Sequence, residues 1–158
     1  DKQNDYYVYG GDKRIIKQFK NHYKNKNLHL HVFVSYKNLK NHLNKMDVLV
    51  MPSNNKTLRS LGGIGNIVKY TSPLKLFDYL ASGKLIIISK LKVFEEVIEK
   101  NKHCIALDLN HNKWLKVICK ISKNLKKINL LKKNAFLLSK KYTYKKRAQD
   151  FLYGLNNQ

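Results

Sequence analysis

The sequence predicts an α/β fold: a parallel sheet of about five strands flanked by helices, with extra helices towards the C-terminal end. Short runs of strand length, continuously apolar or β-branched, recur at Tyr6–Tyr9, Leu28–Phe33, Val48–Met51, Leu85–Ser89 and Cys104–Leu107. Such runs suit strands covered on both faces, as in parallel sheets. Amphipathic segments separate them, and strands alternating with helices imply parallel connections. Turn residues punctuate the same boundaries.

Taken in order, the first strand runs into Gly10-Gly11-Asp12, a turn before the helical stretch Lys13–Tyr23. The second strand is followed by the helical stretch Asn38–Lys45, and the third by Pro52-Ser53-Asn54-Asn55. Residues 52–71 then form a long connection containing Gly62, Gly63 and Gly65, and loops of this length in compact domains are commonly functional. A helix is expected over Pro73–Ala81, with Leu76, Phe77, Leu80 and Ala81 on its buried face and Gly83 just beyond its end. Over Val93–Glu99, Val93, Phe94, Val97 and Ile98 recur at helical spacing while Glu95, Glu96 and Glu99 face solvent. Past residue 110 the strands stop. Three apolar stripes follow: Trp114, Val117, Ile118, Ile121 and Leu125; Leu130 to Leu138; and Phe151, Leu152 and Leu155. These predict C-terminal helices packing on the sheet or reaching outward.

A chain of 158 residues fits one domain, and 43 % hydrophobic content is too high for a disordered basic tail. No apolar run is long enough to cross a membrane as a helix. The opening Asp1-Lys2-Gln3-Asn4 carries neither an initiator Met nor a signal-peptide pattern, and a piece of a longer protein is expected. The charge is extreme, with 32 Lys+Arg against 10 Asp+Glu and a net of +22. Only Arg14, Arg59 and Arg147 are arginines, whereas nucleic-acid binders lean on Arg forks. Two readings stay open: lysines spread over solvated faces, or attraction to an anionic membrane or nucleic acid. Residues 101–158 carry 14 basic side chains against Asp108 and Asp150. Cys104 and Cys119 show neither metal-ligand spacing nor a disulfide framework; buried thiols in a reducing, cytoplasmic setting are expected. His29 and His31 share one strand face but lack a third ligand nearby, and no metal site is expected. His103 and His111 have no Ser or Cys partner pattern. Tyr36 is read as an ordinary surface or core Tyr, and Trp114 as the core anchor of its helix.

The chemistry concentrates at Tyr70-Thr71-Ser72-Pro73-Leu74-Lys75-Leu76-Phe77-Asp78. Ser72 suits the N-cap and Pro73 the first helical position. The amides of Leu74 and Lys75 are then unpaired donors at the positive end of a helix dipole, and Lys75 adds a full charge. Asp78, three residues on, lies on the same face about one turn further in. A carboxylate there is placed to accept hydrogen bonds from a ribose diol, which suits a nucleoside diphosphate along the helix start. A capped helix carrying a solvated i, i+3 pair gives the same pattern, and the residues alone leave both readings open.

The stretch Ser72–Lys84, with Ile86-Ile87-Ile88-Ser89 and Val93-Phe94-Glu95-Glu96-Val97 after it, resembles the C-terminal domain of group 1 (family 4) glycosyltransferases. So do Tyr7-Val8-Tyr9-Gly10-Gly11, Met46-Asp47-Val48-Leu49-Val50-Met51-Pro52-Ser53, Gly62-Gly63-Ile64-Gly65-Asn66 and Tyr142-Thr143-Tyr144-Lys145-Lys146-Arg147-Ala148, in the family's order. The resemblance implies one half of a GT-B enzyme: a Rossmann-like domain, residues 1–158, that binds a nucleotide sugar. It implies a retaining sugar transfer to a lipid-linked or polysaccharide acceptor, at the cytoplasmic face of the membrane and with peripheral membrane contact. No metal or other cofactor is implied, the nucleotide sugar being substrate. The family's E-x7-E pair falls on Tyr70 and Asp78, so the first acid is replaced here by a phenol. The implied donor-binding set is Gly62, Gly63, Gly65, Tyr70, Thr71, Ser72, Leu74, Lys75 and Asp78, with no catalytic residue assigned. The family's first strand and helix of this domain, and its N-terminal acceptor-binding domain, are expected outside this chain. The alternative is a non-catalytic basic module binding nucleic acid or anionic membrane, which explains the charge but not the Ser-Pro-Leu-Lys helix.

Overall fold

A computed structural model describes residues 3–53 and 74–156. The chain divides into two compact units, residues 1–45 and 46–158.

The first unit is β1 (Tyr6–Tyr9), α1 (Lys13–His22), β2 (Leu28–His31) and α2 (Tyr36–Asn44), with β1 and β2 parallel. The turn out of β1 needs its glycines: Gly10 and Gly11 sit at φ +142° and +78°, where a side chain strains the backbone. Asp12 then caps α1, its Oδ1 accepting from the Ile15 amide at 2.8 Å. The cross-strand pairs Tyr7–His29 and Tyr9–His31 stack with ring centroids 4.5 and 4.8 Å apart. Asp5 Oδ1 meets His29 Nε2 at 2.9 Å. The alternating histidines of β2 thus belong to an aromatic ladder on one face of the pair. β2 stops at His31 rather than at Phe33, because its partner strand ends at Tyr9 and the chain turns off; Phe33 is 78 % exposed. Complete cover of these strands is not what the unit shows. Tyr7 and Val8 on β1, and Ile15 and Phe19 on α1, are exposed, and Leu30 is the buried apolar residue here.

The second unit holds β3 (Val48–Met51), α3 (Leu74–Ser82), β4 (Leu85–Ser89), α4 (Lys92–Glu95), β5 (Ile105–Leu107), α5 (His111–Ile118), a 3-10 turn (Ile121–Lys123), α6 (Leu125–Ser139) and α7 (Tyr144–Asn156). The sheet order is β3-β4-β5, all parallel, with Leu49 opposite Ile86 and Ile87 opposite Ile105. All five residues of β4 are buried, as a continuous apolar run in a central parallel strand requires. Ile86 and Ile88 pack with Leu76 and Leu80 of α3, Ala135 of α6, and Phe94, Ile98 and Cys104. Each fully buried aliphatic side chain there contributes about 1.5–3 kcal/mol of transfer free energy.

Several details differ from the periodicity reading. In place of the helix expected over Val93–Glu99, α4 covers only Lys92–Glu95, and the amides of Val97 and Ile98 both donate to the Phe94 carbonyl. β5 begins one residue late, Cys104 forming only a bridge with Lys100 across a turn that holds Asn101 at φ +61°. Ala81 and Leu125 are exposed rather than buried. Trp114 anchors α5 as expected, donating from Nε1 to the Asp108 carbonyl at 3.0 Å. α7 exposes Tyr144 through Leu155 along its whole length.

Cys119, expected to be buried, caps the C-terminal end of α5 and is exposed, whereas Cys104 is buried with its thiol pushed up to about 12 by desolvation. Thiolate is the reactive form. A maleimide added to folded protein is therefore expected to modify Cys119 alone, with Cys104 joining only in denaturant; peptide mapping distinguishes the two.

His103 is buried, and its Nδ1 accepts from the Glu99 amide at 3.0 Å, which fixes the neutral ring with its proton on Nε2. Burial, opposed by the Glu99 carboxylate, holds its pKa below the ordinary value. A depressed histidine binds fewer protons folded than unfolded, so its contribution is present above about pH 6.5 and is lost as pH falls through the folded value. Denaturant titrations between pH 7 and 5 should show stability falling in this window, with a shallower slope in His103→Gln.

Candidate functional site

Only the two-residue turn Gly83-Lys84 separates the end of α3 from the start of β4, so the helix C-terminus lies at the amino end of that strand. A helix packed on its own strand in a parallel connection runs back against it. The start of α3 is therefore at the carboxyl ends of β3 and β4, where open parallel sheets bind ligands. Gly83, at φ +65°, is the left-handed residue that stops the helix. Leu76 and Leu80 bolt α3 to the sheet with no solvent exposure, and Phe77 lies tilted against Tyr142 at 5.1 Å between centroids.

Leu74 and Lys75 occupy the exposed first two positions of α3, and Asp78 is half-buried one turn along. Tyr79 next to it has its phenol pKa raised, first by burial and then by the Asp78 carboxylate. The site is thus acidic one turn inside a helix start that carries a lysine. Gly62, Gly63, Gly65, Tyr70, Thr71 and Ser72 lie outside the described residues. At the same edge of the sheet, the Ser53 amide, two residues after β3, donates to Ser89 Oγ at 2.9 Å. Ser89 closes β4 and is almost fully buried. This bond fixes the direction in which the chain leaves β3, and removing the hydroxyl would leave the Ser53 amide without its partner, at a cost of about 1 kcal/mol. Ser89 is a site-edge residue the sequence reading passed over; a lone Ser ending an otherwise apolar run, Leu85-Ile86-Ile87-Ile88, was the signal.

Parallel strands alternating with helices, with a helix start at the carboxyl edge of β3 and β4, define an α/β domain of the Rossmann-like kind. The family model described as glycosyl transferases group 1 matches residues 2–149, and the chain belongs to this family. The fold is similar to that of the Anabaena protein HepE, solved in complex with UDP-glucose (TM-score 0.68, 12 % identity, covering 98 % of this chain and 41 % of that one). It is also similar to HepE solved with UDP (TM-score 0.70, 12 % identity, 99 % and 42 %). The chain thus spans about two-fifths of those structures, one half of the GT-B architecture. No curated protein matches the sequence.

Proposed function

We propose that this chain is the donor-binding half of a retaining glycosyltransferase, which moves a sugar from a nucleoside diphosphate to a lipid-linked or polysaccharide acceptor. The observation that carries the reading is the start of α3 at the carboxyl edge of the sheet, with Lys75 in its first turn and Asp78 one turn along. The diphosphate lies on the amides near Leu74 and Lys75, where the helix dipole and the Lys75 ammonium meet negative charge. Asp78 accepts from the ribose hydroxyls. Gly62, Gly63 and Gly65 approach the donor closely, and Tyr70, Thr71 and Ser72 complete its surroundings. As the bond between the anomeric carbon and the diphosphate oxygen breaks, charge builds on the leaving group. The helix amides and Lys75 stabilise that charge more than the ground state, which lowers the barrier. The donor is the substrate, and the reading assigns no metal or other cofactor.

In the whole protein the site is completed by a preceding strand and helix of this domain and by an acceptor-binding domain. The exposed apolar faces of β1 and α1 support cover from such a segment. The strong positive charge supports work at the cytoplasmic face of an anionic membrane.

Isothermal titration of the chain with UDP and GDP tests the donor reading. Saturable one-to-one binding that weakens only gently with salt is the expected result. A steep collapse with salt, matched by heparin at the same concentrations, would instead mark diffuse polyanion binding through the lysines.

A further inference from the structure

Beside β5 a groove of about 450 Å3 opens between α5, the 3-10 turn and α6. That volume lies within the roughly 300–1,000 Å3 of ligand clefts. Its floor is aliphatic: Ile105 and Leu107 of β5, Val117 of α5, Ile121 of the turn, Ile128 and Leu131 of α6. Its rim carries four lysines, Lys113, Lys116, Lys120 and Lys127. Among the described residues, Lys113 is the one of these four in an ion pair, with Asp108 at 3.3 Å. The polar side chain at the wall, Asn124, is already engaged, its Oδ1 accepting from the Lys127 amide as the cap of α6.

A sugar or a nucleotide needs several oriented polar partners, and this floor offers none. What complements an apolar trough ringed by cations is an acyl chain below a negative headgroup. Lysines suit that arrangement, since their aliphatic stems lie along apolar surface while the ammonium stays in water. As point charges rather than forks, they also match a diffuse anionic surface better than a single oriented anion. We propose that this groove is the membrane anchor of the domain, seating one anionic phospholipid with its acyl chain along the floor and its phosphate among Lys116, Lys120 and Lys127. The inference gives the membrane contact proposed above a location, and rests on it; it is independent of donor binding at α3.

The test is co-sedimentation of the chain at near-physiological salt with vesicles of phosphatidylcholine alone or mixed with phosphatidylglycerol. Binding is expected only to the anionic vesicles. The double variant Lys116→Gln/Lys120→Gln should weaken it about thirtyfold, from roughly 1 kcal/mol per lysine at an anionic surface. Lys17→Gln/Lys20→Gln on α1 makes the same change in net charge and should weaken it less than about threefold. Val117→Asn leaves the charge unchanged but places an amide in the floor, and should cost about tenfold. Equal losses in the two lysine pairs, or full binding by Val117→Asn, would overturn the groove while leaving a diffuse membrane contact standing. No preference for anionic vesicles in the unaltered chain would overturn both.

Discussion

Leu80→Ala is expected to lower the free energy of unfolding by about 2–5 kcal/mol, the range for emptying a fully buried aliphatic position. Leu80 has no solvent exposure and packs in the cluster that joins α3 to β4 and α6. Neighbours from three elements surround the site, so the cavity closes only in part and the loss should lie above the transfer term alone. For a domain of this size each kcal/mol shifts the melting temperature by about 2–4 °C. The matched control is Leu125→Ala at the exposed start of α6, expected within about 0.5 kcal/mol of the parent. Because Leu80 sits on the same helix as Lys75 and Asp78, the substitution should also loosen the site. Equal melting temperatures for the two variants would mean that α3 is not fixed to the sheet as described.

Asp78→Ala is expected to weaken nucleoside diphosphate binding about a hundredfold while leaving stability close to the parent's. Two ribose hydroxyls donating to an ionised carboxylate make charge-assisted hydrogen bonds, each worth about 1.5–3 kcal/mol, and part of that is offset by desolvating the half-buried acid. Asp78→Asn, which retains an acceptor oxygen but no charge, should fall between the two. Titration of each variant with the nucleoside alone separates ribose recognition from diphosphate recognition. A deficit that persists with the nucleoside belongs to the ribose contact. Equal binding by Asp78→Ala and the parent would remove Asp78 from the site.

The central strand was the most legible part of the fold. Leu85-Ile86-Ile87-Ile88 has no polar position to place outward, so burial on both faces was the only economical solution, and β4 is buried throughout. The end of α3 was equally clear, since Gly83 needs the left-handed conformation that few other residues tolerate. Reading failed where apolar residues have no described partner. Val32 and Phe33 continued the apolar run of β2, but strand pairing ends at Tyr9 and His31, and beyond it the Phe33 amide meets only the Gly11 carbonyl of the glycine turn. Leu125 fell on a periodic stripe that the helix ends interrupt, and Cys119 sits at the cap where α5 stops; periodicity carries no information about where a helix stops. The placement of Lys75 and Asp78 together on α3 was legible because their spacing fixes them on one helix. Ser89 was not, because its hydrogen bond to Ser53 spans 36 residues and exists only after β3 and β4 pair. The lysine-rimmed groove was hidden for the same reason: its walls come from elements spread over residues 105–131.

The most direct test of the donor-site assignment is to follow the backbone amide resonances of the chain as UDP or GDP is added. Saturable shifts concentrated at Leu74, Lys75 and Asp78 are expected, with Ser53 and Ser89 moving in step and α5 and α6 unaffected. Shifts scattered over lysine-rich segments, or none at saturating nucleotide for either base, would contradict it.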